Sequence, residues 1–148
     1  MLRKCLFFML LFIGIVHFSL GEEIYPKDFY ITPRFGFSTL TGTIGIELQY
    51  KHVAFDIGYG FTAKPPHEED GLQHALTYGI RYYFNPHYRT WYFGLGGWIR
   101  LDKDEIDMGF IVGHRWRWGK GWDFCLGFGY TFSGSGAPMI DLALGYSF

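Results

Sequence analysis

The sequence predicts an all-β fold, an eight-stranded antiparallel up-and-down barrel. Three observations lead to this prediction. Large apolar residues alternate with glycine or polar residues over most of the chain, eight such runs can be counted, and no run after residue 22 has the periodicity of an amphipathic helix. Strict alternation is typical of strands whose two faces meet different surroundings. A chain of 148 residues is long enough for one such domain.

Residues 122–148 show the alternation most clearly. The bulky face of the first strand consists of Trp122, Phe124, Leu126, Phe128, Tyr130 and Phe132. The residues between them are Asp123, Cys125, Gly127, Gly129 and Thr131. After a Ser-Gly-Ser-Gly break, the bulky face resumes with Ile140, Leu142, Leu144, Tyr146 and Phe148. Such a pattern is expected of a strand with lipid on one side and a narrow polar interior on the other, so we expect a transmembrane barrel.

The strand lengths and connections agree with this expectation. The predicted strands span residues 28–38, 43–51, 53–61, 73–84, 89–101, 105–116, 121–132 and 138–148. About ten residues, tilted by about 40°, cross an apolar band of about 25 Å. If the chain enters and leaves the barrel at the same end, the connections at that end are all short. At the opposite end only residues 62–72 form a long loop. We therefore expect the short-turn end to face the periplasm.

Aromatic residues are predicted to form a girdle at the short-turn rim. The residues assigned to this girdle are Trp91, Trp116, Trp118, Trp122 and Phe148. Aromatic residues make up 22% of the chain and charged residues only 18%, and the net charge is −1. No basic stripe is present, which argues against nucleic acid as a partner.

The N-terminal residues have the pattern of a secretory signal peptide. Arg3 and Lys4 precede an apolar run at 6–16, and Ser19-Leu20-Gly21 provides a small-residue cleavage site. We expect residues 1–21 to be a signal peptide and residues 22–148 to be the barrel domain. Cleavage would remove Cys5 and leave Cys125 as the only cysteine, which excludes an intramolecular disulfide.

The alternating strands and the C-terminal sequence IDLALGYSF resemble the small OmpA-type and OmpX-type barrels of Gram-negative bacteria. This resemblance covers the chain after the signal peptide. It implies a monomer in the bacterial outer membrane, in contact with outer-membrane lipid and lipopolysaccharide. It also implies that the barrel-assembly machinery recognises Ile140, Leu142, Leu144, Tyr146 and Phe148. The outer loops are shorter than is usual for adhesins of this class.

Charged residues on the small-residue faces are the best candidates for a functional arrangement. They are Arg34, Glu47, Asp56, Arg81, Arg100, Asp107, Arg115, Arg117, Asp123 and Asp141. Residues equidistant from a hairpin turn face each other. The predicted pairs are Arg34–Glu47, Asp56–Arg81, Arg100–Asp107 and Arg115–Asp123, with Asp141 pairing with Arg34 or Arg117.

This ion-pair network is predicted to plug the barrel. The remaining interior space is assigned to Gln49, Gln73, Tyr30, Tyr83, Tyr92 and Trp98. The alternative is that each charge is separately hydrated by water in the interior.

Pro33 lacks an N–H and falls within the first strand, so we expect a bulge or a break there.

An enzyme acting on lipid A or phospholipid is an alternative function. A serine hydrolase needs a serine close to a histidine base that is oriented by an acid. His74 lies near Glu68, Glu69 and Asp70 in sequence, but Ser38, Ser133 and Ser135 belong to other connections. The sequence therefore predicts no catalytic residue and no cofactor. His67 and its acidic neighbours are more typical of a solvated loop than of a metal site.

Three further alternatives remain. A small adhesin or receptor would act through the 62–72 loop. A porin-like channel is disfavoured because the interior of an eight-stranded barrel is filled by side chains. A soluble lipocalin-like barrel would have to enclose the large apolar face, which such an interior cannot hold. A structural role in the bacterial envelope is the interpretation that the sequence favours.

Overall fold

The computed structural model describes residues 27–40, 42–63, 72–101, 105–119, 121–133 and 136–148, with the side chains of 61–63 and 72–73 excepted. The signal peptide expected at residues 1–21 and most of the 62–72 loop lie outside this range. Within these residues, no helix has the length and apolar character needed to cross a membrane.

The chain forms a closed antiparallel barrel of eight strands, each paired with its neighbours in sequence. The strands are β1 (Phe29–Ser38), β2 (Gly42–Tyr50), β3 (Val53–Ala63), β4 (Leu72–Tyr83), β5 (Thr90–Arg100), β6 (Glu105–Trp118), β7 (Trp122–Thr131) and β8 (Pro138–Tyr146). The barrel closes where β1 pairs with β8. The predicted all-β, eight-stranded up-and-down topology is confirmed, and the strand bounds differ from the prediction by only a few residues.

Burial alternates along the strands as the sequence predicts. Polar and charged side chains such as Arg81 and Glu47 are fully buried inside the barrel. The bulky apolar residues lie on the outer wall, where Phe37 is 72% exposed and Phe128 is 64% exposed. The lipocalin-like alternative, with the large apolar face inside, is therefore wrong for this chain.

Pro33 neither breaks nor bulges β1, contrary to the sequence expectation. It pairs in register with Ile46 of β2. The carbonyl of Ile31 accepts a hydrogen bond from Phe148, so alternate residues of β1 direct their backbone groups toward β8. Pro33 is two residues further along, and its missing N–H faces this closing seam. Contacts between β1 and β8 continue in the same register on both sides of Pro33, from Ile31–Phe148 to Arg34–Gly145, so the seam tolerates the missing N–H without a shift.

The irregularity of β1 lies at Gly36 instead. The β1–β2 register shifts between Phe35 and Ser38, and Gly36 has a φ of 152°. A Cβ atom at this position would lie 2.1 Å from the carbonyl oxygen of Leu142. Only glycine tolerates both the backbone angle and the close approach of β8.

The two ends of the barrel differ in their connections. We call the end with the turns at 51–52, 84–89 and 119–121 the short-turn end, and the opposite end the mouth. The residues predicted for the aromatic girdle, Trp91, Trp116, Trp118, Trp122 and Phe148, all lie at the short-turn end. Ring contacts connect part of this girdle, with centroids 5.5 Å apart for Trp122 and Tyr146 and 4.9 Å apart for Tyr146 and Phe148.

Candidate functional site in the barrel interior

The central layer of the interior is organised around Arg81 of β4. Its Nε atom lies 2.7 Å from Asp56 Oδ2, and its Nη1 atom lies 2.7 Å from Asp141 Oδ2. Glu47 Oε2 lies 3.6 Å from Nε. All four side chains have no exposed surface. Strand alternation turns each of them inward, so one guanidinium joins carboxylates from β2, β3 and β8.

Arg34 of β1 connects Glu47 of the central layer to Asp123 of β7. Its Nη2 atom lies 3.0 Å from Glu47 Oε1 and 2.8 Å from Asp123 Oδ1. Tyr83 donates its hydroxyl hydrogen to Glu47 at 2.5 Å, and Tyr92 donates to Asp141. The central carboxylates are thus held by arginines and by tyrosine hydroxyls.

A second layer lies toward the short-turn end and contains Arg115 and Arg117 of β6. Arg117 Nη2 lies 3.0 Å from Asp123 Oδ2, whereas Arg115 Nε is 3.9 Å from the same oxygen. Arg115 donates to Gln49 Oε1 at 2.7 Å and to the Pro86 carbonyl at 2.9 Å. Arg117 donates to the same two oxygens, each at 3.3 Å.

Tyrosine rings support the guanidinium groups of this second layer. The Arg115 guanidinium lies 3.7 Å from the ring centroid of Tyr83, and that of Arg117 lies 4.2 Å from Tyr30. These distances are well within the range of cation–π contact. The rings fix the position of both cations near the barrel end.

The mouth layer combines an ion pair with apolar side chains. Arg100 lies 2.9 Å from Asp107 and 2.8 Å from Glu105. Between this ion pair and the central layer, Leu40 from the β1–β2 connection is fully buried, as are Ile111 and Met139. A Cβ atom added at Gly94 would lie 2.8 Å from Leu40 Cδ1, so a glycine on the opposite wall makes room for this side chain.

The predicted pairs are only partly reproduced. The Arg34–Glu47, Asp56–Arg81 and Arg100–Asp107 pairs are in contact at 3.0 Å or less. Arg115 and Asp123 are 3.9 Å apart, which is a weak contact.

The expectation that Asp141 would pair with Arg34 or Arg117 is wrong, because Asp141 contacts Arg81. Hairpin symmetry relates only adjacent strands, and in this narrow interior an arginine of β4 reaches across to β8.

The other interior assignments are largely reproduced. Tyr30, Tyr83, Tyr92 and Gln49 are fully or almost fully buried. Trp98 is half-buried against the interior apolar cluster. The side chain of Gln73 lies outside the described residues. The sequence interpretation missed Leu40 as an interior residue, although its apolar character in a short connection was a usable signal.

The residues weighed for hydrolase or metal chemistry are not assembled into a site in the part of the chain that the structure describes. His74 contacts the hydroxyl of Tyr59, while Ser133 accepts a hydrogen bond from the Met108 amide at 2.8 Å. No group of three or more histidine, cysteine or acidic residues suited to a metal is found among the described residues. Residues 67–70 and Ser135 lie outside the described range.

The residues proposed for recognition during assembly lie on one face. Ile140 and Leu142 are exposed on the outer wall of β8, and Leu144 and Tyr146 are half-buried on the same side. Phe148, just beyond the strand, is 63% exposed.

No protein-family model, curated protein or solved structure matches this chain.

Proposed function

We propose that this chain is an integral β-barrel of the bacterial outer membrane, of the small OmpA-type and OmpX-type class, with a structural role in the envelope. The observation that carries the proposal is the outer wall. Large apolar side chains are exposed on every one of the eight strands. Soluble monomers rarely expose contiguous apolar patches larger than a few hundred Å². A wall of this kind is stable when acyl chains cover it.

The strand lengths fit this environment. The shortest strands, β2 and β8, have 9 residues and β6 has 14. At about 3.3 Å per residue and a tilt of about 40°, nine residues span about 23 Å along the barrel axis. This length is close to the apolar band of about 25 Å that outer-membrane barrels present to lipid. The closed sheet also satisfies the backbone hydrogen bonds that lipid cannot satisfy.

The route to the membrane is part of the proposal. Residues 1–21 act as a cleaved signal peptide, and the outward residues of β8 together with Phe148 form the segment that the assembly machinery recognises. The girdle at the short-turn end then lies at the periplasmic interface, where aromatic rings are favoured.

A structural role is favoured over a channel because the interior is occupied. Three groups of charged side chains and the buried side chain of Leu40 occupy successive levels of the described interior, from the short-turn end to the mouth. We therefore expect the barrel refolded in a planar bilayer to conduct no ions above background. Stable single-channel steps would contradict this part of the proposal.

Gel migration and fractionation test the membrane assignment. The chain expressed with its own N-terminus should sediment with outer membranes, resist extraction by alkaline carbonate, and migrate differently on a denaturing gel before and after boiling. The matched control is the same chain unfolded in urea before loading, which should show only the boiled position. Recovery of a folded chain in the soluble fraction would contradict the proposal.

A deletion strain should then show altered sensitivity to detergents with unchanged lipid A.

A further inference from the structure

Arg115 differs from every other arginine in the interior. Arg34, Arg81, Arg100 and Arg117 each have a carboxylate oxygen within 3.0 Å. Arg115 has no exposed surface, yet within the described part of the chain its closest carboxylate oxygen, on Asp123, is 3.9 Å away. A buried cation is costly unless an anion compensates for its lost hydration.

The hydrogen bonds of Arg115 go to neutral oxygens. Its Nη atoms donate to the Gln49 side chain and to the backbone carbonyls of Asn85 and Pro86 at 2.7 to 3.2 Å. Its Nε atom is buried and has no hydrogen-bond partner among the residues that the structure describes. Arg117 also donates to Gln49 and Pro86, so two guanidinium groups converge on the same two neutral acceptors. Two cations that share neutral acceptors are arranged as they would be around an oxyanion.

The β4–β5 turn supplies these carbonyls and covers the site. Asn85 braces this turn, because its Oδ1 atom accepts hydrogen bonds from the amides of His87 and Tyr88. Toward the interior, its carbonyls accept hydrogen bonds from the two arginines, and the Pro86 carbonyl also accepts one from Gln49 Nε2 at 2.9 Å. His87 Nδ1 lies 3.3 Å from the Tyr30 hydroxyl. Because the turn has hydrogen bonds of its own, it can move outward without unfolding. An anion can then take the place of its carbonyls as the acceptor for the two arginines.

We propose that Arg115 and Arg117 form a binding site for an oxyanion of the phosphate class, which enters at the short-turn end and displaces the carbonyls of the β4–β5 turn. The planar guanidinium group matches phosphate oxygens in a two-pronged geometry, and these charge-assisted bonds are stronger than bonds to a neutral carbonyl. The rings of Tyr83 and Tyr30 hold both cations in place without neutralising them. This inference goes beyond the proposed structural role and does not depend on the membrane location.

His87 reports on occupation of this site. Burial lowers the pKa of its imidazole, and the charges of Arg117 and Arg115 lower it further, together with His52, while Asp28 acts in the opposite direction. An anion held by the two arginines offsets their repulsion of a protonated imidazole. Binding should therefore raise the pKa of His87 toward its usual value of about 6.5.

The test uses residues 22–148 refolded in zwitterionic detergent micelles and titrated with inorganic phosphate at constant ionic strength, with chloride as the balancing salt. Calorimetry measures binding, and NMR measures the pKa of His87. We expect saturable binding, a higher pKa of His87, and a loss of affinity of at least about thirtyfold in Arg115→Gln. The matched control is Arg100→Gln, which removes an arginine at the mouth and should bind phosphate as the unchanged chain does.

A second titration distinguishes free phosphate from a lipid headgroup. Short-chain phosphatidic acid is added to the micelles, with phosphatidylcholine as the control. Binding of inorganic phosphate indicates a soluble ligand, and binding of phosphatidic acid alone indicates a headgroup; either supports an oxyanion site.

The absence of saturable binding of both, or equal binding by Arg115→Gln and Arg100→Gln, would overturn the inference. If Arg115→Gln does not fold, Arg115→Lys replaces it. Lysine keeps the charge but loses the two-pronged geometry, so at least about tenfold weaker binding is expected. Unchanged affinity in this variant would contradict the site. A barrel that shows heat-modifiable migration but no phosphate binding would refute this inference alone and leave the proposed function standing.

Discussion

The central layer and the short-turn layer of the interior use arginine in different ways. In the central layer, Arg81 contacts Asp56 and Asp141 at 2.7 Å, so its charge is compensated by carboxylates from two other strands. In the short-turn layer, Arg115 makes its hydrogen bonds to an amide and to two backbone carbonyls. Both side chains are fully buried. Burial alone therefore does not identify a structural ion pair, because the charge of the arginine's partner decides how much stability is lost when the arginine is removed.

The largest expected effect is that of Arg81→Met. This change leaves Asp56 and Asp141 buried without their main cation, and loss of one partner of a buried ion pair typically costs about 3–5 kcal/mol. Urea unfolding of the refolded barrel, followed by tryptophan fluorescence, measures the loss. Arg115→Met is the matched control, with an expected loss of at most about 1–3 kcal/mol, because the hydrogen bonds of Arg115 go to neutral acceptors and its carboxylate contact with Asp123, at 3.9 Å, is weak. An equal or larger loss in Arg115→Met would remove the distinction between the two layers.

The next effect concerns Leu40, which lies with Ile111 and Met139 in the interior apolar cluster. Leu40→Ala removes a fully buried side chain that packs against glycines of the opposite wall, and such changes cost about 2–5 kcal/mol. The matched control is Leu142→Ala on the outer wall, where we expect about 1 kcal/mol or less. Both values come from the same urea experiment. A greater loss for Leu142 than for Leu40 would indicate that the Leu40 side chain is not packed in the interior.

A smaller effect is expected for the ion pair at the mouth. Arg100 is 19% exposed at its side chain and Asp107 is 2% exposed, so water moderates their attraction. A double-mutant cycle with Arg100→Ala and Asp107→Ala should give a coupling free energy of about 1 kcal/mol, with the double variant less destabilised than the sum of the single variants. Additive losses would show that the two charges are hydrated separately.

The smallest effect is a pH dependence from His87. Its pKa is lowered in the folded chain by burial and by the nearby arginines, so below about 6.5 the unfolded chain binds more protons than the folded chain. The free energy of unfolding should therefore decrease as the pH falls from about 6.5 toward the lowered pKa of the folded chain. His87→Gln should reduce this dependence, and the effect should be small because the ring is partly solvated. A variant with the same pH dependence would exclude His87 as its source.

The barrel itself was predictable because alternation carries a physical constraint along the whole chain. A shift of one residue in the pairing register of a strand would exchange its bulky and small faces. The pattern therefore fixes which residues lie inside the barrel. The contacts of Arg34 with Glu47 and of Arg100 with Asp107 were predicted as direct cross-strand pairs, and both contacts form. The register differs from the prediction by two residues, because Arg34 lies opposite Gly45 and Arg100 lies opposite Glu105, so each long side chain reaches its partner diagonally.

Contacts across the interior were not predictable in this way. The pairing of Arg81 with Asp141 joins β4 and β8, which are not neighbours in the sheet. The inward position of Leu40 and the shift at Gly36 depend on how the β1–β2 connection meets the opposite wall and the closing strand. These contacts depend on how far a side chain extends across the interior and on how closely two backbones approach. The residue pattern along a single strand does not predict either quantity.

Broadening of methyl NMR signals by spin-labelled lipid measures which face of each strand contacts the acyl chains. The barrel is refolded in lipid nanodiscs with a nitroxide on the acyl chains. We expect strong broadening at Ile140 and Leu142 on the outer wall and little broadening at Leu40, Ile111 and Met139 in the interior. Protection of the outer-wall methyl groups together with broadening of the interior ones would contradict the account.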